Sequence, residues 1–327
     1  MLILQLVEQV SRLAEGQTVT LALPEPDLAE TVAAWCNRTG NTLVAADARA
    51  VTVRRGRLPD LLADLARQRR PGTRLWLYTN FDCNLACSYC CVRSSPHARP
   101  RTLPATLVEE IARQAPPAGV TEILITGGEP FLRLDLGRLV AACTAAAPTT
   151  LLTNGMLFSG RRLQVLRDLP RIGLTLQISL DSATPDRHDT YRGAGTWARA
   201  VAGIRTALAE GFTVKAAVTL TGTTRAELEE VRTFLDSLGI PRDRQVIRPL
   251  ARRGLAETGI EVTVPTLVPE ITVTADGIYW HPVGADDADQ FVTAQVLPLA
   301  GAIEQVLTRF RQYRLAGDDA ARTFPCA

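Results

Sequence analysis

The sequence predicts an α/β protein: a partial (β/α)6 TIM-like barrel, with a small α+β domain before it and a short hairpin–helix extension after it. Three observations predict this. Between residues 71 and 255, short and nearly continuous apolar runs alternate with stretches of helical period, as in a parallel sheet covered by helices. Six such units are too few for a closed eight-fold barrel, which leaves a partial, open one. Outside those limits the alternation stops.

Residues 1–70 form the first predicted domain. "LILQLVEQVSRLA" has helical spacing, "TVTLAL" is a short strand, and "DLAETVAAWCNRTG" is a helix with an Asp start and a Gly stop. "NTLVAA" and "VTVRR" are strands, and "GRLPDLLADLARQRRPG" is a helix running into a Pro/Gly linker. In the barrel the strands are "TRLWLYTN", "VTEILITGG", "TTLLTNG", "LTLQISLDS", "FTVKAAVTL" and "RQVIRPLA". Ligands collect at the C-terminal ends of such strands. Residues 256–327 form the third segment, with a hairpin turning at Asp276-Gly277, a helix in "AQVLPLAGAIEQVLTRFRQYR" and a polar, loose tail.

The 327 residues are 46% apolar, enough for a sizeable core, and carry a formal net charge of +2 from 36 basic and 34 acidic groups. That balance predicts neither nucleic acid nor an anionic membrane as a main partner. Lys215 is the only lysine, a bias assigned to codon usage and to no function. No apolar run reaches the ~20 residues of a membrane span, and no secretory signal is evident, so a cytoplasmic location is expected. Clustered cysteines there are metal-binding or catalytic rather than disulfide-bonded.

Four of the seven cysteines, Cys83, Cys87, Cys90 and Cys91, fall in "NFDCNLACSYCCVRSS". Spacings of four and three suit one helix face, where cysteine can act as a small hydrophobe. Against that, the segment follows a strand and is rich in loop formers. Structural zinc wants four ligands in paired knuckles; no second knuckle follows, and His97 is a lone candidate. Three thiolates with no fourth suit an iron–sulfur cubane with one iron left open.

Cys83-x3-Cys87-x2-Cys90, with Tyr89 before the third cysteine, resembles the cluster loop of the radical S-adenosylmethionine superfamily. The likeness covers roughly residues 74–250, and a partial barrel is that family's fold. It implies a [4Fe–4S] cluster on Cys83, Cys87 and Cys90, with Cys91 outside the ligand set. The open iron would bind S-adenosylmethionine, whose reductive cleavage yields a 5′-deoxyadenosyl radical that takes hydrogen from a substrate. It implies a flavodoxin or ferredoxin as electron donor. "TGGEP" resembles the motif that meets the methionine amino group, through Gly127, Gly128, Glu129 and Pro130, with Glu129 offering a carboxylate. Its glycines would let the backbone approach the ligand. In "SLDS", Ser179 and Asp181 are implied to face the ribose, with a capping role the other reading of Asp181. Arg192 resembles an arginine that reaches the cofactor's carboxylate. Val218 and Ile247 are positional candidates for adenine, and Arg248 for an anionic substrate group.

The hairpin resembles the start of a SPASM or twitch extension, but His281 stands where a cysteine would bind an auxiliary cluster. Only Cys326 follows, so one cluster per chain is expected. The first domain resembles the later part of a TusA-type sulfur carrier without its early Cys-Pro-x-Pro loop; a leader-peptide docking module is the other reading. A peptide substrate follows from the likeness to peptide-modifying relatives, with a small metabolite as the alternative. From a different class, a non-catalytic iron–sulfur adaptor remains open.

Overall fold

Strands form where branched and aliphatic residues run together, because such runs can be covered on both faces. The computed structural model describes residues 2–56, 62 and 65–323, with side chains to residue 314. The chain divides into two compact units, Met1–Leu65 and Ala66–Ala327.

The first unit comprises α1 (Leu2–Ser11), β1 (Thr18–Ala22), α2 (Leu28–Thr39), β2 (Thr42–Ala46) and β3 (Ala50–Arg54). Its antiparallel sheet has the order β1-β3-β2. Leu6, Val32, Trp35, Cys36 and Val53 form its core. Asp27 makes no side-chain cap at the start of α2, whereas Gly40, at φ 72°, closes the helix with its N–H on the Cys36 carbonyl. Cys36 is buried, and burial raises its thiol pKa, as befits a packed rather than a reactive cysteine. The helix expected over 56–72 falls largely outside the described residues; its described end holds a 3-10 turn at Arg67–Arg69.

The second unit follows the expected alternation. Its elements are β4 (Arg74–Tyr78), α3 (Ala105–Gln114), β5 (Glu122–Thr126), α4 (Leu136–Ala146), β6 (Thr149–Thr153) and α5 (Gly160–Asp168). Then come β7 (Leu174–Ser179), α6 (Pro185–Arg192), α7 (Thr196–Ala209), β8 (Thr213–Leu220), α8 (Arg225–Ser237) and β9 (Gln245–Pro249). Strands β4 to β9 are parallel and neighbours in sequence order. Alternate residues Leu75, Ile123, Leu151, Leu176 and Val214 are fully buried. The other face carries Arg74, Glu122, Thr150, Thr175 and Lys215, aligned by the register.

Two features go beyond the sequence reading. The segment after "SLDS" holds α6, with Pro185 in its first turn, where its missing N–H costs nothing. The extension joins the barrel sheet. It adds β10 (Ile271–Thr274), β11 (Gly277–Tyr279), β12 (Phe291–Thr293) and α9 (Leu299–Thr323), and β10 pairs parallel with β4. The sheet therefore has nine strands, in the order β12-β11-β10-β4-β5-β6-β7-β8-β9. β12 is three residues long, too short for a periodic signal. The supposedly loose tail is helical to Thr323, and Cys326 lies outside the described residues.

Gly203 on α7 marks a close approach of helix and loop. A Cβ there would stand 1.9 Å from the carbonyl oxygen of Gly155, in the turn after β6. Helix propensity alone would make Gly203→Ala stabilising by roughly 1 kcal/mol. The backbone clash should reverse the sign, to a loss of about 1–3 kcal/mol, read as a lower midpoint in urea or thermal unfolding.

Candidate metal and cofactor site

The cysteine loop leaves β4 and crosses the C-terminal edge of the sheet before entering α3. Asn80 holds its first turn: its side-chain amide donates to the carbonyls of Asp82 (2.9 Å) and Glu129 (3.1 Å). Backbone bonds from Cys83 N to Ser95 O (3.2 Å) and from Ser88 N to Tyr191 O (3.0 Å) fix the rest. Two sulfurs accept backbone N–H groups, Cys83 from Leu85 at 3.4 Å and Cys90 from Ser94 at 3.2 Å. Burial raises the Cys83 thiol to about 12. Burial raises Cys87 too, against the Arg192 guanidinium, which pulls it down. Cys91 turns the other way, toward Tyr78 and Gly284, and burial pushes its thiol up to about 11. Among the described residues no three Cys, His, Asp or Glu side chains close on a single-ion site.

The two glycines of "TGGEP" act differently from the expectation. A Cβ on Gly127 would meet Asn80 Oδ1 at 2.3 Å, and one on Gly128 would meet the Asp82 carbonyl oxygen at 2.2 Å. Their missing side chains let the β5 turn lie against the cysteine loop, joined by Gly128 N to Asn80 O (2.9 Å) and Glu129 N to Asp82 O (3.0 Å). Glu129 is also corrected. Its carboxylate is fully buried and accepts from Phe131 N (3.0 Å), the Thr153 hydroxyl (2.8 Å) and Asn154 N (2.8 Å). It ties the β5 turn to the end of β6 and presents no oxygen to a ligand. The carbonyls of Gly127 and Gly128, by contrast, have no donor among the described residues.

Asp181 is likewise committed to the protein. Only 2% exposed, it accepts from the Tyr89 hydroxyl, from Arg192 Nε (2.6 Å) and from Thr219 N (3.0 Å), and so offers no edge to a ribose. It does not cap the following helix: α6 starts from Thr184, without a side-chain cap. Burial acts to raise the Asp181 pKa, but the Arg192 charge and these bonds outweigh it and hold the carboxyl below its usual range. The Arg192 guanidinium faces both Asp181 and the Tyr89 ring, 5.4 Å from the ring centroid. Ser179 is half-buried, and its hydroxyl has no partner among the described residues. Val218 and Ile247 are paired across β8 and β9, next to the Thr219–Arg248 pair. Arg248 Nε reaches the Thr219 hydroxyl at 3.5 Å.

Sequence reasoning missed several residues that hold this site. Asn84 and Asn154 pair at 2.8 Å across two loops. A Cβ on Gly254 would meet the Cys90 carbonyl at 2.2 Å, and Leu255 N donates to that carbonyl at 2.9 Å. The extension grips the cysteine loop through charge, Arg93 pairing with Asp287 (2.7 Å) and Arg101 with Asp286 (2.5 Å), and Arg253 after β9 pairs with Asp289 (2.8 Å). Tyr78 adds a bond from its hydroxyl to the Pro282 carbonyl (3.0 Å). "DDAD" in an extension next to an arginine-rich loop was the signal available.

Two predictions follow from these buried groups. Asp181→Asn leaves Arg192 buried without its counter-charge and should cost about 3–5 kcal/mol, whereas Tyr89→Phe, losing one hydrogen bond, should cost about 1 kcal/mol; chemical unfolding measures both. His188 and His281 each have their pKa lowered from 6.5 to about 4, chiefly by burial, and each uses Nδ1 as an acceptor, from Asp181 N and Val283 N. The unfolded chain thus binds protons that the fold refuses. Stability should be constant above pH 6.5 and fall as pH drops toward about 4, by on the order of 1–3 kcal/mol per imidazole. Thermal melts across that window, with His281→Gln flattening the slope, check it.

Residues 77–235 match the model of the Radical SAM superfamily. Over 164 residues the chain is 31% identical to a probable GTP 3′,8-cyclase of Methanosarcina mazei, covering 47% of each chain. Over 178 residues it is 32% identical to the mycofactocin maturase MftC of Mycobacterium tuberculosis, covering 53% of this chain and 44% of that one. The chain spans about half the length of these curated relatives. In fold it matches Streptococcus suis SuiB bound to S-adenosylmethionine, with a TM-score of 0.50 and 22% identity over 60% of this chain and 45% of that one. SuiB is also solved with the precursor peptide SuiA bound. A parallel half-barrel carrying three spaced thiols at its C-terminal edge is thus the part of the chain, residues 77–235, that matches the model of the Radical SAM superfamily.

Proposed function

We propose that the chain is a radical S-adenosylmethionine enzyme with a peptide substrate. The reading rests above all on the cysteine loop. Cys83, Cys87 and Cys90 line it, two of their sulfurs take backbone N–H bonds of the kind that tune cluster thiolates, and Cys91 is turned aside. This donor set fits a [4Fe–4S] cluster held by three cysteines. When bound, the cluster supplies an electron that splits S-adenosylmethionine to a 5′-deoxyadenosyl radical.

The chain's own residues bind and orient. The carbonyls of Gly127 and Gly128, without internal donors, are the acceptors for the methionine ammonium, in place of the Glu129 carboxylate. Pro130, buried in the first turn of its 3-10 helix, holds those carbonyls in position. Ser179 offers a free hydroxyl at the end of β7 for the ribose. Arg192 sits beside Cys87, where its charge opposes the rise that burial imposes on the thiol pKa and so favours the thiolate that iron needs. Asp181 and Tyr89 fix that guanidinium. The extension anchors the loop through its aspartates, Asp286 and Asp287 pairing with Arg101 and Arg93. A peptide is the proposed substrate because a maturase is among the relatives and SuiB, of the same fold, is solved with a precursor peptide. A flavodoxin or ferredoxin is the proposed electron donor. No helix among the described residues is long and apolar enough to cross a membrane.

The test is anaerobic. Reconstituted protein given dithionite and S-adenosylmethionine should release 5′-deoxyadenosine. Alanine at Cys83, Cys87 or Cys90 should abolish the product and lower bound iron; Cys91→Ala should retain both. Loaded protein carrying about four irons and yielding no product would overturn the enzymatic reading.

A further inference from the structure

Lys215 stands alone chemically. It is the only lysine in the sequence, it lies on β8, and its ammonium has no hydrogen bond or ion pair among the described residues. The register places it directly opposite Gln177 on β7, and places Thr213 opposite Thr175 one pleat below. Those four side chains share one face of the sheet. None of these side chains makes a hydrogen bond to the protein among the described residues.

Thr175, Thr213 and Lys215 line a cavity of about 470 Å³ at the N-terminal ends of the strands, within the size range of small-molecule sites. It lies about 17 Å, one strand length, from the cysteine loop. Its opposite wall is already saturated. Glu122 accepts from Arg74 Nε at 3.0 Å and from the Thr150 hydroxyl at 3.2 Å, and Arg74 also pairs with Glu270 at 3.1 Å. Arg171, at the rim, is spent on the carbonyls of Arg167 and Glu210. Arg74 is matched by Glu122 and Glu270, and Arg171 lies 3.9 Å from the Glu210 carboxylate, so the unmatched charge in the lining is Lys215. The unspent donors beside it are the Thr175 and Thr213 hydroxyls.

We propose that this cavity is a binding site for a small oxyanion, the carboxylate or phosphate group of a metabolite, held by Lys215 with the Thr175 and Thr213 hydroxyls as neutral donors. A lysine suits a compact anion approached as a point charge, where the planar fork of arginine would demand a fixed bidentate geometry. The site is independent of the radical chemistry proposed above.

The single lysine makes the test direct. Untagged full-length chain labelled with 15N,13C-lysine gives one side-chain signal. Titration with inorganic phosphate, and separately with succinate, should move that signal saturably at one ligand per chain, while sodium chloride at matched ionic strength should not. The arm that saturates at lower concentration identifies the head group. Calorimetry on Lys215→Met should show binding at least tenfold weaker, and on Thr213→Val a few-fold weaker, with unliganded melting temperatures unchanged. A signal that moves linearly with both anions, or equally with chloride, overturns the proposal. So does a Lys215→Met chain that binds as the parent does. Should that variant misfold, the lysine titration of the parent decides alone.

Discussion

A carboxylate cut off from water must find every donor inside the protein, and Asp181 is such a group. Its donors come from three places: Tyr89 in the cysteine loop, Arg192 at the end of α6, and the backbone of Thr219 on β8, around a carboxylate at the end of β7. An unpaired buried charge costs far more than a bonded one. The three elements are therefore obliged to meet, and the position of Cys87, two residues before Tyr89, follows from where they meet.

The β5 and β6 ends obey the same constraint through Glu129. Burial raises its pKa, and the bonds from Asn154, Phe131 and Thr153 work against that rise. With Gly127 and Gly128 pressed on Asn80 and Asp82, the start of the cysteine loop at Cys83 is held by the β5 turn as well as by β4. A loop of this length would by itself sample many conformations. Here it is bound along one side by strand turns and along the other by the aspartates of the extension, so the thiols are presented without an entropic penalty on metal uptake.

Much of this was legible in the sequence. Apolar runs located β4 to β9, because a strand buried on both faces leaves a compositional trace that needs no partner to be read. The three cysteines were legible by spacing. The work of "GGEP" and "SLD" was not. Spacing places Glu129 and Asp181 at strand ends, yet whether a carboxylate there faces a ligand or the protein depends on Thr153, Asn154, Tyr89 and Arg192, which arrive from elsewhere in the chain. The union of β10 with β4 was hidden for a similar reason, since the hairpin reads the same on its own as at the edge of a barrel. Lys215 was set aside as codon bias; composition has no means of showing that a residue is unpaired.

The two ends of the barrel thus differ in how completely the protein satisfies itself. At the C-terminal edge the charged side chains Glu129, Asp181 and Arg192 are bonded to one another or to the backbone, and what remains open there is the carbonyls of Gly127 and Gly128, the Ser179 hydroxyl and the thiols: acceptors and soft ligands, suited to an ammonium, a sugar and a metal centre. At the N-terminal end the open groups are donors with a positive charge among them. Folding removes the cost of unmet polar groups wherever it can, so the groups it leaves unmet carry information. By that measure the two mouths differ in kind: acceptors and thiols, with the loosely held Arg248 beside them, at one, and an ammonium with hydroxyls at the other.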